Sequence, residues 1–176
     1  DRSENLIMLG ACNGIICITD SFDIALCNPS IREFKSLAVT PLFGPDKMVH
    51  WPEAVGFGFD PNTGDYKVVR IVNHFENLDD YGYDPGCTRA EVYNLSTNSW
   101  REIDAAVPAK VFYAPCFETL FNGAFHWYAG EDLTILSFHI SNEVMQLIPL
   151  PDICSVVDGH RKSLDVLNGS LAIIRY

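Results

Sequence analysis

The chain has 176 residues, of which 48% are hydrophobic and 12% aromatic, and it carries a formal net charge of −11. That length holds one domain with a sizeable core, and that composition belongs to a globular chain rather than a disordered one. The acidic balance works against phosphate-driven nucleic-acid binding and against an anionic membrane surface, and it complements a cationic partner.

In chain order, a first hairpin is expected from strands at 15–19 and 24–27, joined by Asp20-Ser21-Phe22-Asp23. Asn28-Pro29 ends the second of these, because Pro cannot donate to a ladder, and 33–37 follows as a third strand. Residues 38–53 contain three Pro and Gly44 and read as a loop. A strand at 55–59, a turn at Asp60-Pro61-Asn62-Thr63-Gly64 and a long strand at 65–72 come next. In that long strand Tyr66, Val68 and Arg70 share one face, and Lys67, Val69 and Ile71 share the other. Residues 74–88 interrupt the pattern with Gly82, Pro85 and Gly86, and are expected to be an inserted loop between two strands of one unit. Strands at 90–95 and 99–103 complete the unit, and 104–118 is a linker. An aromatic run at 121–128 opens the next unit, which continues through 134–138 and 144–147.

Two kinds of turn recur. A strand, a turn of the form Asn/Asp-x-Ser/Thr and a second strand appear at 24–34, 92–103 and 135–145. Asn-Gly, which supplies the positive φ angles of tight hairpins, precedes an apolar strand at 13, 122 and 168. The step from 122 to 168 has the length of a kelch- or WD-type blade. The reading is all-β: antiparallel hairpin repeats in a kelch- or propeller-like arrangement with little helix. Trp100 and Trp127 lie on strands and are expected in the packing between units. Asp1-Arg2-Ser3-Glu4 lacks Met, and 170–176 stops inside a strand-like run, so both ends read as cut from a longer protein.

The chemistry-bearing residues are sparse. Cysteines at 12, 17, 27, 87, 116 and 154 show neither CxxC nor zinc-finger spacing and read as reduced core thiols. The histidines at 50, 74, 126, 139 and 160 form no HxH or HExxH, and His126 reads as a hydrogen-bonded core or rim residue. Gly56-Phe57-Gly58 lacks the third glycine and the following helix of a dinucleotide loop. The sequons Asn94-Leu95-Ser96 and Asn168-Gly169-Ser170 read as chance. No catalytic, cofactor-binding or metal-binding residue is assigned. The strongest candidate for function is the acidic, aromatic segment 74–88, with Phe75, Glu76, Asp79, Asp80, Tyr81, Tyr83 and Asp84 and no Lys or Arg. Loops on rigid scaffolds carry binding, and Tyr is a preferred interface anchor. Trp51, in the preceding loop, joins this set as an exposed contact. A carbohydrate platform built from Trp51, Trp127 and Tyr128 is the competing reading.

Five stretches together resemble the F-box-associated domain of plant F-box proteins: Cys12-Asn13-Gly14-Ile15-Ile16-Cys17, Cys27-Asn28-Pro29-Ser30-Ile31-Arg32-Glu33, the run from Gly56 to Arg70, the run from Val92 to Ile103, and Asn122-Gly123-Ala124-Phe125-His126-Trp127. The resemblance covers nearly the whole chain and is greatest to the S-locus F-box proteins of pollen. It implies a non-catalytic substrate receptor of an SCF-type ubiquitin ligase, one that binds basic S-RNases of the pistil in self-incompatibility. It also implies a Skp-type adaptor and cullin, reached through an F-box that this chain does not contain, and a location in the pollen-tube cytosol. No cofactor is implied. A glycan- or other-protein-binding module of a general plant F-box protein is the alternative.

Overall fold

The computed structural model of the chain describes residues 6–19, 23–37, 52–79, 82–103, 107–108, 118–129, 134–151 and 162–175. Their strands form a series of antiparallel meanders. Sheet 1 runs β1 (Ile7–Cys12), β2 (Ile15–Thr19), β3 (Ile24–Asn28), β4 (Glu33–Leu37). Sheet 2 runs β5 (Pro52–Asp60), β6 (Asp65–Asp79), β7 (Gly82–Asn94), β8 (Ser99–Glu102). Sheet 3 runs β9 (Thr119–Phe121), β10 (Ala124–Ala129), β11 (Thr134–His139), β12 (Met145–Pro149). A two-stranded sheet 4 pairs β13 (Lys162–Leu167) with β14 (Ser170–Arg175). The all-β reading holds. The strand that precedes each Asn-Gly (β1, β9 and β13) was not among the expected elements.

Sheet 2 is buried on both faces, and its sequence alternates accordingly. Val55, Phe57, Val68 and Tyr93 meet Leu9, Cys17, Ile24, Leu26 and Leu37 of sheet 1. Ala54, Val69, Ile71, Ala90 and Val92 meet Phe125, Trp127, Leu136 and Phe138 of sheet 3. The period-two division expected for β6 is therefore the division between two cores. Full burial of each such side chain contributes on the order of 1.5–3 kcal/mol.

The glycines at 56 and 58 have a packing role. A Cβ at Gly56 would lie 2.7 Å from the Phe125 ring, and one at Gly58 would lie 3.0 Å from Ile140 and 3.2 Å from Phe125. β5 offers bare backbone so that the Phe125 ring of sheet 3 can lie on it. Trp127, fully buried, fills the space beside Phe125 and donates its Nε1 hydrogen to the Val55 carbonyl at 3.2 Å. Trp100 departs from expectation. It is half-buried on β8, its ring 5.4 Å from that of Tyr93 and the Arg70 guanidinium 4.7 Å from its centroid. It is shallower than expected, because it packs at the margin of the core between sheets 1 and 2, with the guanidinium over part of its ring.

The turns repeat a backbone solution. Asn13-Gly14, Asn122-Gly123 and Asn168-Gly169 all have positive φ and close two-residue hairpins. A longer turn recurs with a left-handed residue at its end: Arg32, Gly64, Asn98 and Glu143. Asn28 and Asp60 open two of these turns and accept from the backbone N–H two residues on, at 3.1 and 3.0 Å.

A buried ionic cluster joins sheets 2 and 3 at this end. Lys67 Nζ lies 2.8 Å from Asp60 Oδ2 and 2.9 Å from Glu143 Oε1, and it donates to the Ile140 carbonyl at 3.0 Å. Ser141 and Thr63 hydroxyls donate to Asp60 at 2.6 and 2.9 Å, and Arg101 pairs with Glu143. Burial alone would raise Asp60, but the hydrogen bonds from Lys67, Ser141, Thr63 and the Asn62 N–H outweigh it and hold the carboxyl well below the usual range. Glu143 is lowered too: burial opposes, and Arg101 and Lys67 prevail. Lys67 is raised, its two carboxylate partners overcoming its burial.

Two outcomes follow for stability. Lys67→Met strands two carboxylates against each other and should destabilise by about 3–5 kcal/mol at neutral pH. The depressed carboxylates contribute stability that is present above their ordinary values near 4 and lost as pH falls through their folded values. The Lys67→Met penalty should therefore shrink near pH 3, which urea unfolding at the two pH values would show. Gly56→Ala drives a methyl into the Phe125 ring and should cost about 1–3 kcal/mol by the same measurement. An unchanged midpoint would mean that sheets 2 and 3 are not in contact there.

Candidate partner-binding end of the domain

Antiparallel meanders divide their connections between two ends. At one end lie the turns 13–14, 29–32, 61–64, 95–98, 122–123, 140–144 and 168–169, all short. Side chains tie several of them together: Asp65, at the start of β6, accepts from the Ser96 N–H at 3.0 Å, the Ser96 hydroxyl at 2.6 Å and Asn94 Nδ2 at 3.2 Å. These bonds outweigh burial and lower its carboxyl. By the alternation of the strands the other end receives the remaining connections, the short ones 20–23, 80–81 and 130–133 and the long ones 38–51, 103–118 and 150–161. Short turns close a scaffold, and long connections at its other end are where binding surface is built.

The segment expected to be an inserted loop is strand in the structure. β6 pairs with β5 from Asp65↔Asp60 to Val72↔Pro52, and β7 pairs with β8 from Asn94↔Ser99 to Glu91↔Glu102. β6 and β7 then continue together through Asn73↔Thr88, His74↔Cys87, Phe75↔Pro85, Leu78↔Tyr83 and Asp79↔Gly82. The register shifts twice, between His74 and Phe75 and between Phe75 and Leu78. Pro85-Gly86, part of the expected loop, is absorbed as a bulge: Gly86 is skipped and the ladder resumes. The result is a two-stranded ribbon continuous with the central strands of sheet 2.

Of the candidate residues, Phe75, Glu76 and Asp79 fall on β6, and Tyr83 and Asp84 on β7. Asp80, Tyr81 and Trp51 lie outside the described residues. In the chain Trp51 immediately precedes Pro52, whose ladder partner is Val72, at the base of the ribbon. The described members, Phe75, Glu76, Asp79, Tyr83 and Asp84, thus fall on the ribbon beyond the pairing of β6 with β5 and of β7 with β8. The carbohydrate platform fails on Trp127, which has no exposed surface.

Other polar groups serve the scaffold or line its interior. Arg70 pairs with Glu91 inside sheet 2, and Arg89 with Glu102 at its surface, 3.2 Å apart. His126 is buried, as a core histidine should be, with Nδ1 3.2 Å from the Thr119 carbonyl, and burial lowers it. It lies beside a cavity of about 590 Å³ between sheets 3 and 4, lined by Phe121, Ala124, Ile135, Leu171 and Ile173. Cys17 is buried, and burial pushes its thiol far up, aided by Glu118. Sequence reasoning missed Glu118, which sat within a presumed linker and gave no periodic signal. Among the described residues no group of three His, Cys, Asp or Glu could hold a metal.

Residues 3–172 match a family model described as the F-box associated beta propeller domain. An F-box/LRR-repeat/kelch-repeat protein of Arabidopsis thaliana is 30% identical over 82% of this chain and 39% of its own length. A second Arabidopsis F-box protein is 29% identical over 97% of this chain and 59% of its own. The Arabidopsis F-box protein CPR1 is 24% identical over 95% of this chain and 45% of its own. The chain thus spans roughly 40–60% of the length of these relatives. The family match covers almost every residue, and it accounts for the blade-like meanders and for the two recurring turns together. The chain belongs to the F-box associated β-propeller domain family found in plant F-box proteins.

Proposed function

We propose that this chain is the non-catalytic substrate-recognition domain of an F-box protein serving an SCF-type ubiquitin ligase. Its partner in this reading is a basic protein, an S-RNase of the pistil, captured in the pollen-tube cytosol during self-incompatibility. The Skp-type adaptor and cullin would be reached through an F-box outside these residues. The family match and the F-box names of the relatives support the receptor role. The choice of a basic partner rests on charge: the chain is at −11, and residues 74–88 add Glu76, Asp79, Asp80 and Asp84 without a cation.

The observation that carries the reading is the ribbon. A two-stranded extension runs beyond the pairing with β5 and β8, and in this reading the acid and aromatic residues along it meet the partner. Carboxylates at a rim act mainly on association rate and salt dependence, whereas an anchored aromatic acts on dissociation. The fold gains little from such carboxylates, so neutralising them should leave it intact.

The experiment is binding kinetics of the intact F-box protein with a purified basic S-RNase at two ionic strengths. Replacing Glu76, Asp79, Asp80 and Asp84 by their amides should slow association several-fold at low salt and flatten the salt slope. Unchanged rates and slope would move recognition to another face. Tyr81→Ala, Tyr83→Ala and Trp51→Ala should each speed dissociation where the side chain is an anchor, about ten-fold for a residue worth 1.4 kcal/mol. An acidic protein captured as well as the RNase would remove the electrostatic basis of the reading.

A further inference from the structure

Glu118 stands immediately before β9, and its side chain leaves sheet 3 altogether. Its Oε1 accepts the Phe57 N–H of β5 at 3.3 Å. The same oxygen would lie 2.2 Å from a Cβ at Gly10 of β1, so β1 admits the carboxyl only because it carries glycine there. Gly10 is also where the β1–β2 register shifts. One carboxyl thus meets the first strands of three successive sheets: β1, β5 and β9.

Its surroundings offer little to a negative charge. Oε2 is buried with no hydrogen-bond partner. β1 presents Gly10 and β5 presents Phe57, and from β2 the Cys17 thiol is close enough to feel its charge. Of the cations, Lys67, Arg70, Arg89 and Arg101 are paired with other carboxylates. Arg32 and Lys35 are exposed on and beside the β3–β4 turn. Among the described residues the carboxyl accepts only backbone hydrogen bonds, from Phe57 and from its own N–H, and a carboxylate so placed is disfavoured relative to the neutral acid.

We propose that Glu118 is a proton-controlled latch: as the neutral acid it closes the contact between β1, β5 and β9, and as the anion it withdraws and lets the three inner strands part. Burial, opposed only by backbone hydrogen bonds, pushes this carboxyl from an ordinary 4.5 up to about 8. A folded value above the unfolded one gives stability that is fully present below about 4.5, declines as pH rises, and is gone above about 8. The latch rests on these contacts and not on the identity of a partner.

The test compares the wild-type chain with Glu118→Gln, an uncharged isostere, between pH 6 and pH 9. Two readouts are followed: the thermal midpoint, and the alkylation rate of Cys17 resolved by peptide mass mapping. The wild-type midpoint should fall across this range while that of Glu118→Gln stays level. Cys17 should label at the same rate in both at pH 6, and about ten-fold faster or more in the wild type at pH 9. The comparison at one pH cancels the ordinary rise in thiolate, and the direct effect of the Glu118 anion, which raises the Cys17 thiol, would slow wild-type labelling and so works against the expected result. Parallel profiles in the two proteins would overturn the latch, as would a wild-type midpoint that does not move. If Glu118→Gln does not fold, carbon-13 titration of the wild-type carboxyl decides: a midpoint above 7 supports the latch, and one between 4 and 5 overturns it.

Discussion

The central strands of sheet 2 have no solvent face, and the rest of the molecule is arranged around that constraint. A strand covered on both sides has to carry two apolar sets, one for each neighbour. β6 does this with Val68 toward sheet 1 and Val69 and Ile71 toward sheet 3. The charged residues interleaved with them then have to be satisfied internally. Lys67 finds Asp60, Glu143 and a carbonyl, and Arg70 finds Glu91 and the Trp100 ring. Removing one member of either group would leave a buried charge alone, which is worse than never having placed the group there. The pairs are better understood as fixing how the sheets stack than as a large net source of stability.

The turns express the same economy in the backbone. The left-handed conformation disfavours a side chain by about 1–2 kcal/mol, and Gly64 and the Asn-Gly pairs meet it in the ordinary way. Arg32 and Glu143 adopt it with full side chains. Glu143 is repaid: from that position its carboxylate reaches both Lys67 and Arg101. Among the described residues no hydrogen bond or ion pair is matched to the Arg32 side chain, which is exposed.

Much of this was legible in the sequence, for a physical reason. Asn-Gly and Asp-Pro-Asn-Thr-Gly specify backbone angles locally, so the turns, and with them the strands that follow, could be placed without knowledge of contacts. The period-two division of β6 was also visible. The first strands of sheets 1, 3 and 4 were not. β9 is three residues long, and β1 carries Gly10 and a register shift, so neither presents an alternation to read. Pro85-Gly86 misled in the opposite direction, because a bulge and a turn use the same residues and only pairing across the ladder distinguishes them. Trp100 could be assigned to a strand but not to a depth, since depth depends on how far the neighbouring sheet extends. Glu118 left no trace at all: a single buried acid has no period, and its significance lies in strands far from it in sequence.

The ribbon at 73–88 is continuous with β6 and β7, and this sets a rule for how such an extension can change length. Residues added in pairs, one on each strand, lengthen it by about 3.4 Å per pair and leave every side chain nearer the core on its original face. A single added residue below the tip would turn the whole of one strand over, exchanging Val68 for Val69 and dismantling two cores at once. Bulges such as the one at Gly86 are the way out, because they absorb an unpaired residue where the strands are paired with neither β5 nor β8. The reach of this domain toward what lies in front of it can thus drift in small steps, while the parity of its central strands cannot.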